Sequence, residues 1–521
     1  MCGIAGIFDS RGIELTRSLL DLLEKIAYRG TSRGEIAAGP GWALGANRLP
    51  IVGRDTGRQP ASSADGQVMA VLNGEIYNYT SLRRELEGEG CRFATDCDTE
   101  VIAQGYRRWG SSVFARLDGM FAIIVVDLRN GSHMVARDAL GVKPLYRIAG
   151  EFGTCYASEI KALIGLAGEI EGVRPGHLWH SRHGLTPIRP VSVAPMRWLH
   201  DNLKAHAEKL RALIEVSVRK RVATDLPVAV FLSGGIDSSA VMYEAARAHP
   251  DVVGFSIGAK DSPDVASAQR LCAELDLPHR HISVTKQELL DLVPEVISTI
   301  ESFEPNHIRG GTLSYVLSRE VSRAGYRVAL CGEGADELFG GYAEIARAIA
   351  SELPDRAVEA ILQRFVTELN RTQLQRVDRT SMRFALEMRE PLLDAAIVAF
   401  AAQLPLAQKV AKRASDGRIV NKRVLREAYR GILPDWLVDR DKAVLSLGAG
   451  FGSNGPEGPF YWHALELMGE AHFEQLRTGY PEFMLRDREE AYYFSLFLKR
   501  FGNLSLARNR PLVNASEVEA S

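Results

Sequence analysis

Two stretches of this chain hold residues whose types and spacing can do chemistry. At the start, Cys2 follows the initiator methionine. Removing a methionine ahead of a small residue leaves a thiol beside a free α-amine, so nucleophile and base sit on one residue; an amine with an ordinary pKa near ~8 can take the thiol proton. A cysteine that only packs in an opening strand is the other reading. Much later, VAVFLSGGIDSSA at 228–240 runs five mostly apolar residues into Ser233, Gly234 and Gly235, then into a helix-like continuation from Ile236. Glycines after a strand let backbone N–H groups approach an anion, a helix N-terminus adds partial positive charge, and Ser233 and Ser238 supply hydroxyl donors. A phosphate site and a plain glycine-rich turn both fit this spacing. Asp237 would repel a bare phosphate, which points to a metal-bridged or helix-capping role. No Gly-Lys-Ser/Thr follows the glycines, so this is not the lysine-bearing nucleotide loop.

The elements that must position these groups follow two different rhythms. CGIAGIF opens a strand, Leu19 to Tyr28 reads as an amphipathic helix ending near Arg29-Gly30, and strand-like stretches follow at 42–49, 68–72, 121–127 and 133–137. With a helix over 79–89, this pattern predicts a layered α+β domain. Prolines at 175, 187, 190 and 195 mark its last strands and a linker. A helix over 202–222 follows, with Lys and Arg on its solvated face. Beyond it VAVFL, VVGFSIG (252–258) and RVALC (327–331) alternate with helical stretches. That alternation predicts a parallel sheet covered by helices, with ligands at the carboxyl ends of its strands. Residues 2–190 and 202–510 are the expected domains.

Composition narrows the class. With 521 residues, 46% hydrophobic and 25% charged, the chain can build two or more cores. A net charge of -2 argues against nucleic acid or a membrane surface as the main partner, and no apolar run reaches the length of a membrane span. The N-terminus lacks the basic region and long apolar core of a signal peptide. Six scattered cysteines without a close CxxC pair predict free thiols in a reducing cytoplasm and no zinc site.

CGIAGIF, NRLPIV (47–52), NGEIYN (73–78), CDTE (97–100), LDGMFA (117–122), RDALGVKPLY (137–146) and ASEIKAL (157–163) together resemble an N-terminal-nucleophile glutaminase of the class II amidotransferases. The resemblance implies an αββα fold in which Cys2 attacks the side-chain amide of glutamine and frees ammonia. Asn73 and Gly74 would form the oxyanion hole, where preorganised donors meet developing charge. Arg48 would fork the α-carboxylate of glutamine, with Val52 beside it, while Asp98 and Glu75 face its α-ammonium and amide. An ordinary Arg48–Asp98 ion pair and a plain NGE turn are the alternatives. The family usually reads RGPD where this chain has Arg29-Gly30-Thr31-Ser32, which bears on how the glutamine pocket closes.

SGGIDSS similarly resembles the pyrophosphate loop of ATP pyrophosphatases, and the later half is similar to class B, glutamine-hydrolysing asparagine synthetases. The match implies nucleotide contacts from Leu232, Ser233, Gly234, Gly235, Asp237, Ser238, Ile257, Cys331 and Gly332. In CGEGADELFGGY (331–342), Glu333 would take a proton from the attacking ammonia, and Asp336 would hold Mg²⁺ with Asp237. An acidic helix N-terminus obeying the helix dipole is the alternative for that stretch. Arg309, in EPNHIRGGT, falls on the family's substrate arginine, or is a structural ion pair. Lys442, in RDKAVLSLGAG, falls on the lysine that stabilises charge on the α-phosphate, or is an exposed lysine. RVDRTSM and EMREPLLD match a later helix and turn, with Glu390 and Leu392 as departures.

The implied enzyme is a cytoplasmic homodimer using glutamine, ATP, Mg²⁺ and a carboxylate acceptor, aspartate favoured, with ammonia carried inside the protein. Two rivals stay open. One is an amide ligase of secondary metabolism, acting on another carboxylate or closing a β-lactam ring. The other is a non-catalytic sensor of glutamine or ATP.

Overall fold

The computed structural model describes residues 2–504 apart from 10, 12–13, 33, 152, 189–201, 414–415, 441–447, 452–457 and 503. The chain divides into two compact units. The first holds residues 1–190 and also 374–387 and 497–509; the second holds 191–373, 388–496 and 510–521. The division is therefore not the single cut the sequence pattern suggests, since two later segments fold with the N-terminal unit.

Twelve strands build the first unit: β1 (Cys2–Phe8), β2 (Ile36–Gly39), β3 (Trp42–Arg48), β4 (Ala61–Ser62), β5 (Val68–Ile76), β6 (Gly119–Asp127), β7 (Ser132–Arg137), β8 (Tyr146–Gly150), β9 (Gly153–Ala157), β10 (Glu169–Gly172), β11 (His177–His180) and β12 (Gly184–Pro187). They form two six-stranded sheets, ordered β10-β8-β9-β1-β3-β2 and β12-β11-β7-β6-β5-β4. Alternation along each strand sends one set of side chains between the sheets and the other set outward. Cys2, Ile4, Leu44 and Ala46 of the first sheet pack against Val71, Ala122, Ile124 and Val135 of the second. The outward set of the first sheet, including Ala5, Ile7 and Ala43, meets Leu19, Leu22 and Leu23 of α1 (Thr16–Glu24). The outward set of the second, including Ala70, Leu72 and Ile123, meets α2 (Tyr79–Gly88) and α3 (Asp98–Trp109). These are four layers, helix on sheet on sheet on helix, the αββα order that the resemblance implies.

The second unit carries a five-stranded sheet ordered β15-β14-β13-β16-β17, from β13 (Val228–Phe231), β14 (Val252–Gly258), β15 (His279–Ser283), β16 (Val328–Leu330) and β17 (Glu387–Arg389). The pairings of β13 with β14 and β16, and of β14 with β15, are parallel. Val228 to Val230 are buried on both faces, as helices demand when they cover both sides of a parallel sheet. Helix Ile236–Ala248 leaves the end of β13, and helix Pro263–Glu274 leaves the end of β14. Among the described residues no helix is long and apolar enough to cross a membrane.

Candidate active sites

In the first unit the antiparallel register sets Cys2 directly opposite Arg48, so both side chains share a face. The facing sheet adds Asn73 from β5, whose Oδ1 accepts from the Cys2 backbone nitrogen at 3.3 Å. As a peptide nitrogen it can only donate, so the oxygen faces it and Nδ2 points away; the α-amine left once Met1 is removed can still donate to the same oxygen. Asn73 Nδ2 is buried and, among the described residues, meets no acceptor. An orphaned buried donor costs about 1–3 kcal/mol. It belongs to the side chain hydrogen-bonded to the Cys2 backbone, so a bound acceptor next to residue 2 would satisfy it.

Gly74 follows with φ +151°, and a Cβ there would lie 2.0 Å from the Met120 carbonyl oxygen on β6. Only glycine lets the strands meet at that point. Glu75 and Asp98 are both buried. Asp98 opens α3 and its Oδ2 accepts from the Ile76 nitrogen at 3.0 Å. Burial raises its carboxyl above the usual range, against that backbone donor. An ammonium arriving there would relieve the cost of keeping the carboxylate charged.

Arg48 spends part of its fork on the chain itself. Nη2 donates to the carbonyls of Val52 (2.9 Å) and Gly53 (2.8 Å), and Nη1 reaches Arg54 at 3.4 Å. Among the described residues Nε–H and one Nη1–H are not taken up by these bonds. Val52 is half-buried and offers its carbonyl to Arg48. The Thr31-Ser32 loop, which lacks the usual proline and acid, is nonetheless tied down. The backbone N–H groups of Thr31 and Ser32 both donate to the Arg48 carbonyl, at 3.0 and 3.2 Å, and Ser32 Oγ adds a third bond at 3.2 Å.

Burial pushes the Cys2 thiol up, opposed by the Leu49 backbone N–H and the Arg48 guanidinium. Behind it lies a feature that sequence reasoning missed. Arg29 donates Nε to the Cys2 carbonyl at 3.3 Å, and its Nη1 reaches Glu159 at 2.6 Å and Asp378 at 2.8 Å. Nη2 adds a second bond to Asp378 at 3.1 Å. Lys161 pairs with Glu159 at 2.7 Å, Arg379 with Asp378 at 3.0 Å, and Lys143 lies 3.9 Å from Asp378. RDALGVKPLY thus proves architectural. Arg137 binds the carbonyls of Lys143, Val173 and Gly141, and Asp138 accepts four backbone N–H bonds that shape the turn carrying Lys143.

In the second unit the Ser233–Ser238 turn sits where β13 ends, with Leu232 continuing the ladder by donating to Phe255 at 2.8 Å. Gly234 has φ +65°, and a Cβ there would lie 2.6 Å from Ser267 Cβ. Ser238 Oγ accepts from the Ser233 nitrogen at 3.2 Å, and Gly235 stands at the N-cap of Ile236–Ala248. Ile257 is buried near the end of β14. Cys331 donates its backbone N–H to Arg389 on β17, so a thiol in place of serine leaves the ladder intact. Gly332 lies against the turn, where a Cβ would meet the Ser238 nitrogen at 2.8 Å.

Asp237 and Asp336 do converge, but on a cation of the chain. Lys422 Nζ pairs with Asp237 Oδ2 and lies 2.7 Å from Asp336 Oδ1. Its own side chain is 2% exposed. No signal singled Lys422 out, because a lysine in NKRVLRE reads as an exposed helix flank. Glu333 is half-buried beside them. Glu337, fully buried, is raised to about 7 by burial and by the charges of Asp336 and Glu333, and accepts from the Tyr342 hydroxyl. Arg440 was also missed: it donates to the Gly234 carbonyl at 2.8 Å and to Asp264 at 2.7 Å. Ala449 accepts from Ala259 at the end of β14 at 3.0 Å. Both flanks of 441–447 therefore join the phosphate-loop end of the sheet, while Lys442 lies outside the described residues.

Arg309 forms an ion pair. Its Nε donates to Glu489 Oε1 at 2.9 Å and its Nη2 pairs with Oε2, while Tyr493 adds a bond to the same carboxylate at 2.9 Å. Nε and Nη2 are engaged by a buried acid of the chain itself, the structural ion pair that stood as the alternative reading of Arg309.

Residues 1–177 match the model of a glutamine amidotransferase domain, and residues 209–356 and 350–490 match that of asparagine synthase. Asparagine synthetase [glutamine-hydrolyzing] 2 of Oryza sativa subsp. japonica is 32% identical over 96% of this chain and 86% of its own length. Asparagine synthetase B [glutamine-hydrolyzing] of Escherichia coli (strain K12) is 33% identical over 87% of this chain and 83% of its own. Among solved structures, the glutamine phosphoribosylpyrophosphate amidotransferase of B. subtilis covers 54% of this chain and 65% of its own, at 18% identity and a TM-score of 0.32.

Proposed function

Because the chain belongs to the glutamine-hydrolysing asparagine synthetase family, we propose that it converts aspartate to asparagine, with glutamine as nitrogen donor and ATP as activator. The observation that supports the glutaminase half is Asn73, hydrogen-bonded to the Cys2 backbone and carrying a buried Nδ2 that meets no acceptor among the described residues. The thiol proton passes to the α-amine, Sγ bonds the amide carbon, and ammonia leaves with a proton. Asn73 Nδ2 and the Gly74 backbone meet the oxyanion, Arg48 holds the α-carboxylate, and Asp98 with Glu75 holds the α-ammonium.

In the synthetase half the acceptor carboxylate attacks the α-phosphorus of ATP and expels pyrophosphate, leaving an acyl-adenylate. The Ser233–Ser238 turn and the helix N-terminus behind it receive the phosphates, and Lys442, at the position of the family's lysine, would stabilise charge on the α-phosphate. Ammonia then attacks the acyl carbon, Glu333 takes its proton, and AMP departs. Two converging carboxylates fit Mg²⁺, which uses one or two acids plus substrate phosphates. Asp237 and Asp336 would hold it, and it would supply positive charge to the departing pyrophosphate once Lys422 yields the place.

The pairing of Arg309 with Glu489 favours a second reading, in which the acceptor is a different carboxylate. Pyrophosphate release with ATP, Mg²⁺ and a panel of carboxylic acids decides between them. Aspartate is expected to support release; failure of aspartate with success of another acid moves the assignment to that acid.

A further inference from the structure

Gln59 touches the sulfur of Cys2 and takes no part in the reaction as set out above. It is 4% exposed, in the loop that leads into β4. Its Oε1 accepts from the Leu72 backbone nitrogen at 2.8 Å, and its Nε2 stands 3.4 Å from Cys2 Sγ. The orientation of the amide follows from chemistry: a backbone N–H can only donate, so the oxygen must face Leu72 and the nitrogen must face the sulfur. Leu72 immediately precedes Asn73 on β5, so one side chain ties the thiol to the strand that carries the oxyanion donor.

A thiol is a weak acceptor and a thiolate a strong one, so an N–H aimed at sulfur favours the anion. We propose that Gln59 is a catalytic residue of the glutaminase, a neutral donor that stabilises the Cys2 thiolate each time it forms. The first time is the attack, when the S–H proton goes to the α-amine and the sulfur's electron pair makes the C–S bond. The C–N bond then breaks, and ammonia carries that proton away. The second is deacylation: water adds to the thioester and gives a proton to the α-amine, the C–S bond breaks with its electron pair returning to sulfur, glutamate leaves, and the thiolate takes the proton back from the amine. Being neutral, the amide offers this help without a charge that would repel the α-ammonium of glutamine or compete with Arg48 for its carboxylate.

The inference rests on Cys2 being the nucleophile, and the test separates the two. Gln59→Glu keeps the shape and the acceptor for Leu72 but replaces the donor with a carboxylate. Alkylation of Cys2 by iodoacetamide, read by mass on the N-terminal peptide across pH, is compared with glutamate release from glutamine. The expected result is an alkylation midpoint raised by about one to two pH units, with kcat/KM for glutamine about tenfold or more lower at pH 7. Should that variant not fold, Gln59→Met removes the donor without adding charge, and the same upward shift is expected. An unmoved midpoint in a folded variant overturns the role of Gln59 even where activity falls, because a merely structural residue lowers the melting temperature and leaves the thiol's titration in place. If alkylating Cys2 in the unaltered protein leaves glutamate release intact, the nucleophile assignment itself fails.

Discussion

Asp378→Asn is a stringent test of how the glutaminase site is seated. The substitution keeps the shape of the side chain and removes one of two carboxylates from a cluster that also holds Arg29, Lys143, Lys161 and Arg379. The side chains of Arg29, Glu159 and Arg379 are 0% exposed and that of Asp378 is 1%, so water cannot take over the lost interaction. Removing one partner of such a pair strands a buried charge at about 3–5 kcal/mol. At roughly 2–4 °C per kcal/mol for a unit of this size, the calorimetric transition of the first unit should fall by about 6–20 °C. The pH dependence has a definite sign. Burial by itself would raise the Asp378 carboxyl, but Arg29 and Lys143 outweigh it and hold the group below its ordinary value. A depressed folded pKa gives stability that is present above the unfolded value, near ~3.9, and lost as pH falls through the folded one. The gap between the two proteins should therefore be full at neutral pH and shrink in acid below about pH 4. Glutamate release should fall as well, since Arg29 holds the Cys2 carbonyl. A variant that melts within about 2 °C of the parent at pH 7 and keeps its glutaminase rate would refute this account.

Cys2→Ala should abolish use of glutamine while synthesis from added ammonium continues, measured as pyrophosphate release with each nitrogen source; equal loss of both would contradict two separate centres. Asn73→Ala should lower kcat for glutamine hydrolysis by about 10²–10³ with a smaller change in KM, as expected for a donor that meets charge only in the transition state. Lys422→Met leaves Asp237 and Asp336 facing each other without their cation. It should raise the pH at which one of the two ionises, followed by carboxyl infrared bands, and weaken nucleotide binding in titration calorimetry without Mg²⁺.

What could be read from the sequence is what local rules govern. The strand readings over 2–8, 42–49, 68–72, 121–127 and 133–137 fall on β1, β3, β5, β6 and β7, and strand-then-helix alternation located β13, β14 and β16 of the parallel sheet. The bend at Ser233 to Ser238 was legible because a glycine at φ +65° after an apolar run leaves few alternatives. Cys2, Arg48 and Asn73 were found by resemblance, and the β1–β3 register and the Cys2–Asn73 hydrogen bond bring them together. The ion pair of Arg309 could not be read from the sequence because its partner, Glu489, lies 180 residues away, and nothing near an arginine names the acid that meets it. Lys422 was overlooked for the same reason, its partner Asp237 being 185 residues distant.

The segment 374–387 shows where that limit comes from. Its residues look like an ordinary helix of the later half, yet Asp378 closes on Arg29 across 349 positions and folds with the first unit. An amphipathic pattern states that a face will be buried, never against what. Charge is the stronger constraint here, because Arg29 in a dry interior demands more acid than Glu159 alone supplies, with Lys161 sharing that carboxylate. The second acid has to come from somewhere, and this fold draws it from a segment 349 positions away. A nucleophile at residue 2 thereby depends for its footing on a helix made long after it, so an N-terminal fragment ending near residue 190 should hold Cys2 less firmly than the whole protein does.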